Sequence, residues 1–232
     1  MKSCAGAEKK LVALSRSKII GIATGEWRHD GLCQNLESPI AACDLCANNK
    51  LRFAFLIQNQ TTHEKMWVGA GCLLRFQIPI YSGGVRVPAH RARDHLAELV
   101  QMLVTQEAMA RCTMAAMEQQ HSALAEAIIQ YRMHGRVTVF EASLIFSAVE
   151  QANMLTSDVV LPIYLRREED IEQLRAIPRW SLWRFWHCLK AEQVQLALLC
   201  GHKAPTTEHS KLVRYQRQTD TKPQEDCLGK MD

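Results

Sequence analysis

Three cysteines on either side of a short apolar stretch are the residues best suited to chemistry. Cys43 and Cys46 are separated by two residues, and Cys72 follows the turn Gly69-Ala70-Gly71. A C-x2-C pair directs two thiolates toward one ion, and zinc prefers four tetrahedral ligands of this kind. If the chain reverses between the pair and Cys72, a third thiolate returns to the same ion. The spacing therefore predicts one structural Zn²⁺ ion.

The fourth ligand is not fixed by this spacing, because Arg75 stands where a second C-x2-C pair would need a cysteine. Cys33 is the first choice, and His63 and His29 are the alternatives. Free thiols without a metal are the competing interpretation. A redox pair is disfavoured because no βαβ pattern surrounds it. A catalytic zinc would need a base, and Glu64, the acid that is well placed by sequence, falls in a predicted turn.

The composition limits the class of protein. The chain has 232 residues, of which 47% are hydrophobic and 22% charged, so it forms a core. No apolar run reaches the length of a membrane span, and charges interrupt the N-terminal apolar residues, unlike a secretory signal. The nine cysteines are odd in number and widely spaced, which favours a reducing, cytoplasmic setting over a disulfide framework. Cys112, Cys188 and Cys200 fall in helical patterns, where a thiol packs as a small apolar group.

A β-hairpin is predicted between the C-x2-C pair and Cys72. Apolar residues alternate along 51–57, a polar turn follows at 58–64, and the pattern returns at 65–69. Residues 73–76 are suited to a helical turn. We therefore expect residues 1–80 to form a zinc-knuckle β-hairpin module.

This module has a recognisable string of residues. Cys43-x2-Cys46, Leu51–Phe55, Ile57–Asn59 and Val68–Phe76 together resemble a small zinc-binding module of poorly characterised phage and plasmid proteins. The resemblance covers residues 33–76. It implies a mobile-genetic-element setting and contact with nucleic acid, without implying an enzymatic activity.

The rest of the chain is predicted to be helical, which makes the fold class α+β and mostly α. A linker is predicted next, because the stretch contains Pro79, Gly83, Gly84 and Pro88. One long helix is predicted over 89–135, because no glycine or proline occurs between Ala89 and His134 and Gly135 is a natural stop.

A C-terminal helical bundle is predicted over 136–202, and a mobile polar tail over 203–232. Thr138 and Glu141 form a capping-box pattern that begins a helix running to about Leu155. Further helices are expected at 166–176 and from Pro178 to Gly201.

The long helix carries apolar residues at every seventh position, which we call the heptad row: Leu96, Leu103, Ala110, Met117, Leu124 and Tyr131. A helix of this length needs burial to persist. Three interpretations follow: a homodimer or a protein partner along the heptad row, packing against the chain's own C-terminal helices, or a fold-back at a break near residue 112.

Basic residues concentrate in two segments that lack Asp and Glu. Residues 65–93 hold Lys65, Arg75, Arg86, Arg91 and Arg93, and residues 173–191 hold Arg175, Arg179, Arg184 and Lys190. A solvated face is the ordinary explanation, and phosphate binding is the functional one. The second segment also contains Trp180, Trp183 and Trp186, most of which we expect in the core.

These patterns lead to a nucleic-acid-binding accessory or regulatory protein, directed to DNA, as the leading function. A protein-interaction subunit that uses the long helix is the alternative, and a metal-dependent hydrolase is more distant. No nucleotide-binding loop or nucleophile-elbow motif occurs in the sequence, which disfavours an enzyme.

Overall fold

The computed structural model describes residues 4–36 and 42–206. The fold is α+β and mostly α, as predicted. The described residues divide into two compact units, within Met1–Arg111 and Cys112–Asp232. Most of the predicted polar tail, from residue 207 onward, lies outside the described residues.

The elements follow in chain order. The helices are α1 (Cys4–Ala13), α2 (Ile20–Ala23), α3 (Ala70–Arg75), α4 (Ala92–Glu118), α5 (Ser122–His134), α6 (Val139–Gln151), α7 (Glu168–Ala176), α8 (Arg179–Arg184) and α9 (Ala191–Leu199). The strands are β1 (Trp27–Asn35), β2 (Phe53–Asn59), β3 (Lys65–Val68), β4 (Tyr81–Ser82) and β5 (Val85–Arg86). Among the described residues, none of these helices combines the length and apolar character needed to cross a bilayer.

The predicted hairpin is present as β2 and β3, with Phe55 opposite Val68 and Ile57 opposite Met66. A third strand, β1, pairs antiparallel with β2 and was not predicted. Its register shifts between His29 and Cys33, where Gly31 has a φ of +89°. A bulge of this kind interrupts the alternation of side chains, which explains why the sequence pattern did not reveal the strand.

The segment predicted as a linker is instead part of the first unit. β4 and β5 form a tight hairpin over Gly83 and Gly84, whose φ angles of +55° and +81° suit glycine. His29 N donates to Pro79 O at 2.9 Å, and Ile80 is buried. The glycines and prolines therefore mark a turn attached to β1 rather than a connection between domains.

The helix predicted over 89–135 is two helices, so that prediction was wrong. α4 ends at Glu118, and Gln120 adopts a left-handed φ of +51°. The His121 side chain then accepts a hydrogen bond from Leu124 N and caps α5. A polar Gln-Gln-His sequence thus ends one helix and begins the next without glycine or proline.

The break and the burial pattern also divide the heptad row. Leu96 packs in the core of the first unit and Leu124 in the second, whereas Met117 is 74% exposed. Positions that must share one face in a coiled coil therefore have different surroundings. The row does not form one continuous apolar face.

The core of the first unit lies between α1, the sheet, α3 and the start of α4. Leu11, Trp27, Phe55, Ile57 and Leu73 are among its fully buried side chains. One hydrogen bond inside it joins Trp27 Nε1, the donor, to Ser15 Oγ at 2.8 Å. The loop that carries Cys43 and Cys46 packs against this core.

The second unit is helical, with Phe146 of α6 stacked on Phe185 at 5.6 Å between ring centroids. The capping box at the start of α6 is confirmed, because Thr138 and Glu141 bond each other's backbone amides. Cys112 and Cys188 are buried as predicted, and Cys200 is half-buried.

Two details of this unit correct the predictions. The helix expected from Pro178 to Gly201 is split into α8 and α9, because Phe185 and Leu189 leave the helical conformation. The expectation that most of the three tryptophans belong to the core was wrong, because Trp180 is 57% exposed and Trp183 and Trp186 are only half-buried.

Candidate functional site

The loop of Cys43 and Cys46 is held against strand β3 by hydrogen bonds. Asp44 N donates to Trp67 O at 2.9 Å, and Asp44 Oδ2 accepts from Trp67 N at 2.6 Å. Within the loop, Ala47 N donates to Cys43 O at 2.8 Å and closes the turn. Asp44 was not singled out in the sequence, because its role depends on the proximity of β3. The loop is therefore a fixed knuckle that presents both sulfurs.

Helix α3 supplies the third sulfur. Gly69 precedes the helix, and its carbonyl accepts from Cys72 N at 2.9 Å. A Cβ at Gly69 would lie 2.7 Å from Leu51 Cδ2, so the absence of a side chain permits this close approach. Cys72 is thereby placed in the first turn of α3, facing the knuckle.

The three sulfurs form a compact group, as the sequence predicted. Cys43, Cys46 and Cys72 lie within 4.8 Å of one another, and the Cys43 and Cys72 sulfurs are 3.7 Å apart. Tetrahedral zinc with bonds of about 2.3 Å to sulfur would separate its thiolates by about 3.8 Å. Cys43 and Cys72 are buried. The group has the geometry to hold a metal ion.

The pKa values of two of these thiols indicate that both can be ionised only with a cation beside them. Hydrogen bonding from the Cys72 thiol lowers the pKa of Cys43 to about 5, and backbone amides add to this effect. The same contact, together with burial, raises the pKa of Cys72 well above its ordinary value. Two adjacent thiols therefore cannot both ionise near neutral pH unless a cation balances their charges. A divalent metal would supply that balance.

A cavity of about 360 Å³ opens onto the three sulfurs. Its other lining residues include Asn48, Leu51 and the exposed Arg75. Arg75 is the residue that replaces the cysteine of a second C-x2-C pair, and its guanidinium cannot ligate a metal. The cavity lining in the described part of the chain offers no carboxylate or imidazole.

None of the predicted fourth ligands joins the group. The Cys33 thiol donates to Leu99 O at 3.8 Å, and burial raises its pKa. His29 is buried in β1, where Nδ1 contacts Leu56 O at 2.8 Å. His63 lies exposed in the hairpin turn with a φ of +62°. Sequence distance did not reveal that the bulged strand turns Cys33 toward α4 instead of the knuckle.

The predicted nucleic-acid-binding residues of the first unit have two kinds of surroundings. Lys65, Arg75, Arg86 and Arg93 are exposed and form no ion pair with another described residue. Arg91 differs, because it lies 3.8 Å from Asp94 and 3.6 Å from Glu98.

The predicted nucleic-acid-binding residues of the second unit are Arg179, Arg184 and Lys190, and both arginines contact other side chains. Arg184 forms a 2.7 Å ion pair with Glu150 and lies over the Trp180 ring, and Arg179 lies over the Trp183 ring. Lys190 is exposed and lines a cavity together with Arg136 and Tyr164. Arg184 is therefore already neutralised within the chain.

Comparison of the chain with protein-family models, curated proteins and solved structures gave no significant match. The resemblance to a phage and plasmid zinc module thus remains a prediction from its residues.

Proposed function

We propose that the protein is a nucleic-acid-binding accessory or regulatory protein whose first unit is stabilised by one structural zinc ion. The observation that carries the proposal is a set of exposed cations in the first unit, Lys65, Arg75, Arg86 and Arg93, which form no ion pair with another described residue. The resemblance over residues 33–76 adds a mobile-genetic-element setting to this proposal.

Zinc is the metal proposed, because thiolate ligands in tetrahedral geometry favour it over Mg²⁺ or Ca²⁺. A structural role is favoured because the described residues that line the cavity include no base that could activate a metal-bound water. Glu64, the acid considered from the sequence, does not line the cavity. The metal would hold the knuckle, the hairpin and α3 together, and so contribute to folding.

Nucleic acid is the proposed partner because of the free cations. Each phosphate that a protein cation neutralises releases counterions, which makes affinity depend on salt. Lys65, Arg75, Arg86 and Arg93 are exposed without an ion pair among the described residues, so they need not break a contact to reach a phosphate. Residues 65–93, the segment that contains these cations, hold no Asp or Glu that could balance their charge.

The test is a fluorescence-anisotropy titration of the metal-loaded protein with duplex and single-stranded DNA at two salt concentrations. Arg75→Ala, Arg86→Ala and Arg93→Ala should each weaken binding to all sequences and lower the salt slope by about one. Arg91→Ala is the matched control, because Arg91 is already paired with Asp94 and Glu98. It should have a smaller effect.

Affinity that is indifferent to salt, or no binding at low salt, would contradict the proposal. The alternative would then be a protein-interaction subunit. That alternative is favoured by exposed methionines on α4, where Met114 and Met117 are three residues apart and share a face.

A further inference from the structure

Four basic residues of the second unit either contact the ring of Tyr164 or line a cavity that Tyr164 also lines. The Arg136 guanidinium lies 4.3 Å from the centre of the Tyr164 ring, and that of Arg167 lies 5.7 Å from it. Arg166 and Lys190 line the same cavity as Arg136 and Tyr164. Arg136, Arg166 and Arg167 were not predicted as site residues, because they belong to segments far apart in sequence.

The backbone fixes this convergence. After the left-handed C-cap at Gly135, residue 137 pairs with residue 163: Val137 N donates to Pro162 O at 3.0 Å and Tyr164 N to Val137 O at 2.7 Å. This pairing sets Arg136 beside Tyr164. On the other side, the buried Gln193 amide donates to Ile163 O at 2.9 Å. The site is therefore built on anchored segments.

Two cavities meet at Arg136 and Tyr164. The larger has a volume of about 550 Å³ and contains Arg136, Arg166, Lys190 and Glu192 in its lining. The smaller, of about 310 Å³, is also lined by Arg167 and His134. Volumes of this size are in the range of small-molecule sites.

Most of the nearby carboxylates are directed toward the backbone. Asp170 Oδ2 accepts from Arg166 N at 3.0 Å and from Arg167 N at 2.8 Å, and Glu141 Oε2 accepts from Thr138 N at 2.7 Å. Glu192 is the acid that lines the larger cavity. In the described part of the chain, the four basic side chains form no ion pair.

A cluster of unpaired like charges opposes folding, and a bound anion would remove that repulsion. Guanidinium groups present planar pairs of donors that match phosphate oxygens, and a lysine adds a compact charge. We propose that this cavity binds a small organic phosphate through Arg136, Arg166 and Lys190. The phosphomonoester dianion matches the excess of positive over negative charge in the larger cavity. The Arg136–Tyr164 contact holds one guanidinium in place for it.

Isothermal titration with inorganic phosphate and with a nucleoside monophosphate tests this site on the full chain. Arg136→Ala and Lys190→Ala should each weaken affinity about tenfold or more, since a charge-assisted hydrogen bond is lost. Arg136→Lys should fall between them and the wild type. Glu192→Gln should tighten binding several-fold, because it removes the opposing charge.

Arg175→Ala is the matched control, since Arg175 is exposed on α7 and lines neither cavity. It should leave phosphate affinity unchanged, and circular dichroism verifies that each variant is folded. Equal losses in the Arg175 and Arg136 variants, or no phosphate binding by the folded wild type, would overturn the proposal. An Arg136→Ala variant that binds the monophosphate normally and loses only oligonucleotide affinity would overturn it as well.

Discussion

The two units place their charged groups in opposite ways. In the first unit, three thiols are gathered by one knuckle, one hairpin and one helical turn, and two of the sulfurs are buried. In the second, arginines and a lysine from separate segments meet at the surface around Tyr164. The thiol group needs a cation to be fully ionised, and the basic cluster needs an anion to relieve its repulsion.

This difference has a consequence for stability. A metal bound by thiolates that come together only in the folded state contributes directly to folding. The basic cluster is exposed and its charges are screened by water and salt, so an anion adds less. Metal removal should therefore affect the first unit far more than anion removal affects the second.

The largest expected effect is loss of a cysteine ligand. Cys43→Ser or Cys72→Ser should reduce zinc from about one ion per chain to near zero and unfold the first unit, because the structural metal in small domains contributes about 10–16 kcal/mol of apparent folding free energy. Metal analysis and hydrogen exchange of β2 and β3 measure the two results.

Cys33→Ser and Cys112→Ser are the controls for this change. Neither residue belongs to the three-sulfur group, so both variants should retain the metal. Zinc loss from the Cys33 variant would restore Cys33 as the fourth ligand. Absence of zinc from wild-type protein purified without chelator would contradict the site itself.

The second effect concerns the core of the helical unit. Phe146→Ala removes a fully buried ring stacked on Phe185 and should destabilise that unit by about 3–5 kcal/mol, through lost burial and the cavity left behind. Denaturant unfolding measures the loss. The zinc content should not change, and a fall in zinc content together with the loss of stability would contradict the assignment of the metal to the first unit alone.

A smaller effect tests the break between α4 and α5. Gln120 has a left-handed φ, so Gln120→Gly should stabilise the protein by about 1 kcal/mol. Gln119→Gly, one residue earlier, should instead destabilise it by about 0.5–1 kcal/mol. Thermal unfolding compares the two. Destabilisation by both glycines is the result that a continuous helix would give.

The smallest effect is the pH dependence contributed by His29. Burial lowers the pKa of His29, although the Leu56 carbonyl partly opposes this shift. The unfolded chain therefore takes up a proton first as the pH falls below about 6.5. The stability that neutral His29 contributes should be complete above that pH and should decline as the pH falls toward the pKa of His29 in the folded state.

His29→Asn retains a donor for Leu56 O but does not titrate. The stability advantage of the wild type over this variant should shrink between pH 7 and pH 5 in denaturant unfolding. An advantage that is constant over this interval would mean that burial does not depress the pKa of His29.

Features that depend on short-range spacing could be predicted from the amino-acid sequence. The hairpin, the Cys43–Cys46–Cys72 group and the capping box at Thr138 each follow from residues whose separation fixes their geometry. The fold class followed from the same local patterns. Helix breaks without glycine or proline were not visible, because the left-handed Gln120 has no strong sequence signal.

Contacts between residues far apart in sequence became visible in the folded chain. The bulge at Gly31 turned Cys33 toward Leu99 rather than the knuckle, and the pairing of residues 137 and 163 brought Arg136 beside Tyr164. Neighbours that are far apart in sequence depend on strand register and packing, and a shift of one residue moves a side chain to the other face. The ligands offered by the knuckle and α3 were therefore predictable, whereas the exclusion of Cys33 and the basic cluster around Tyr164 were not.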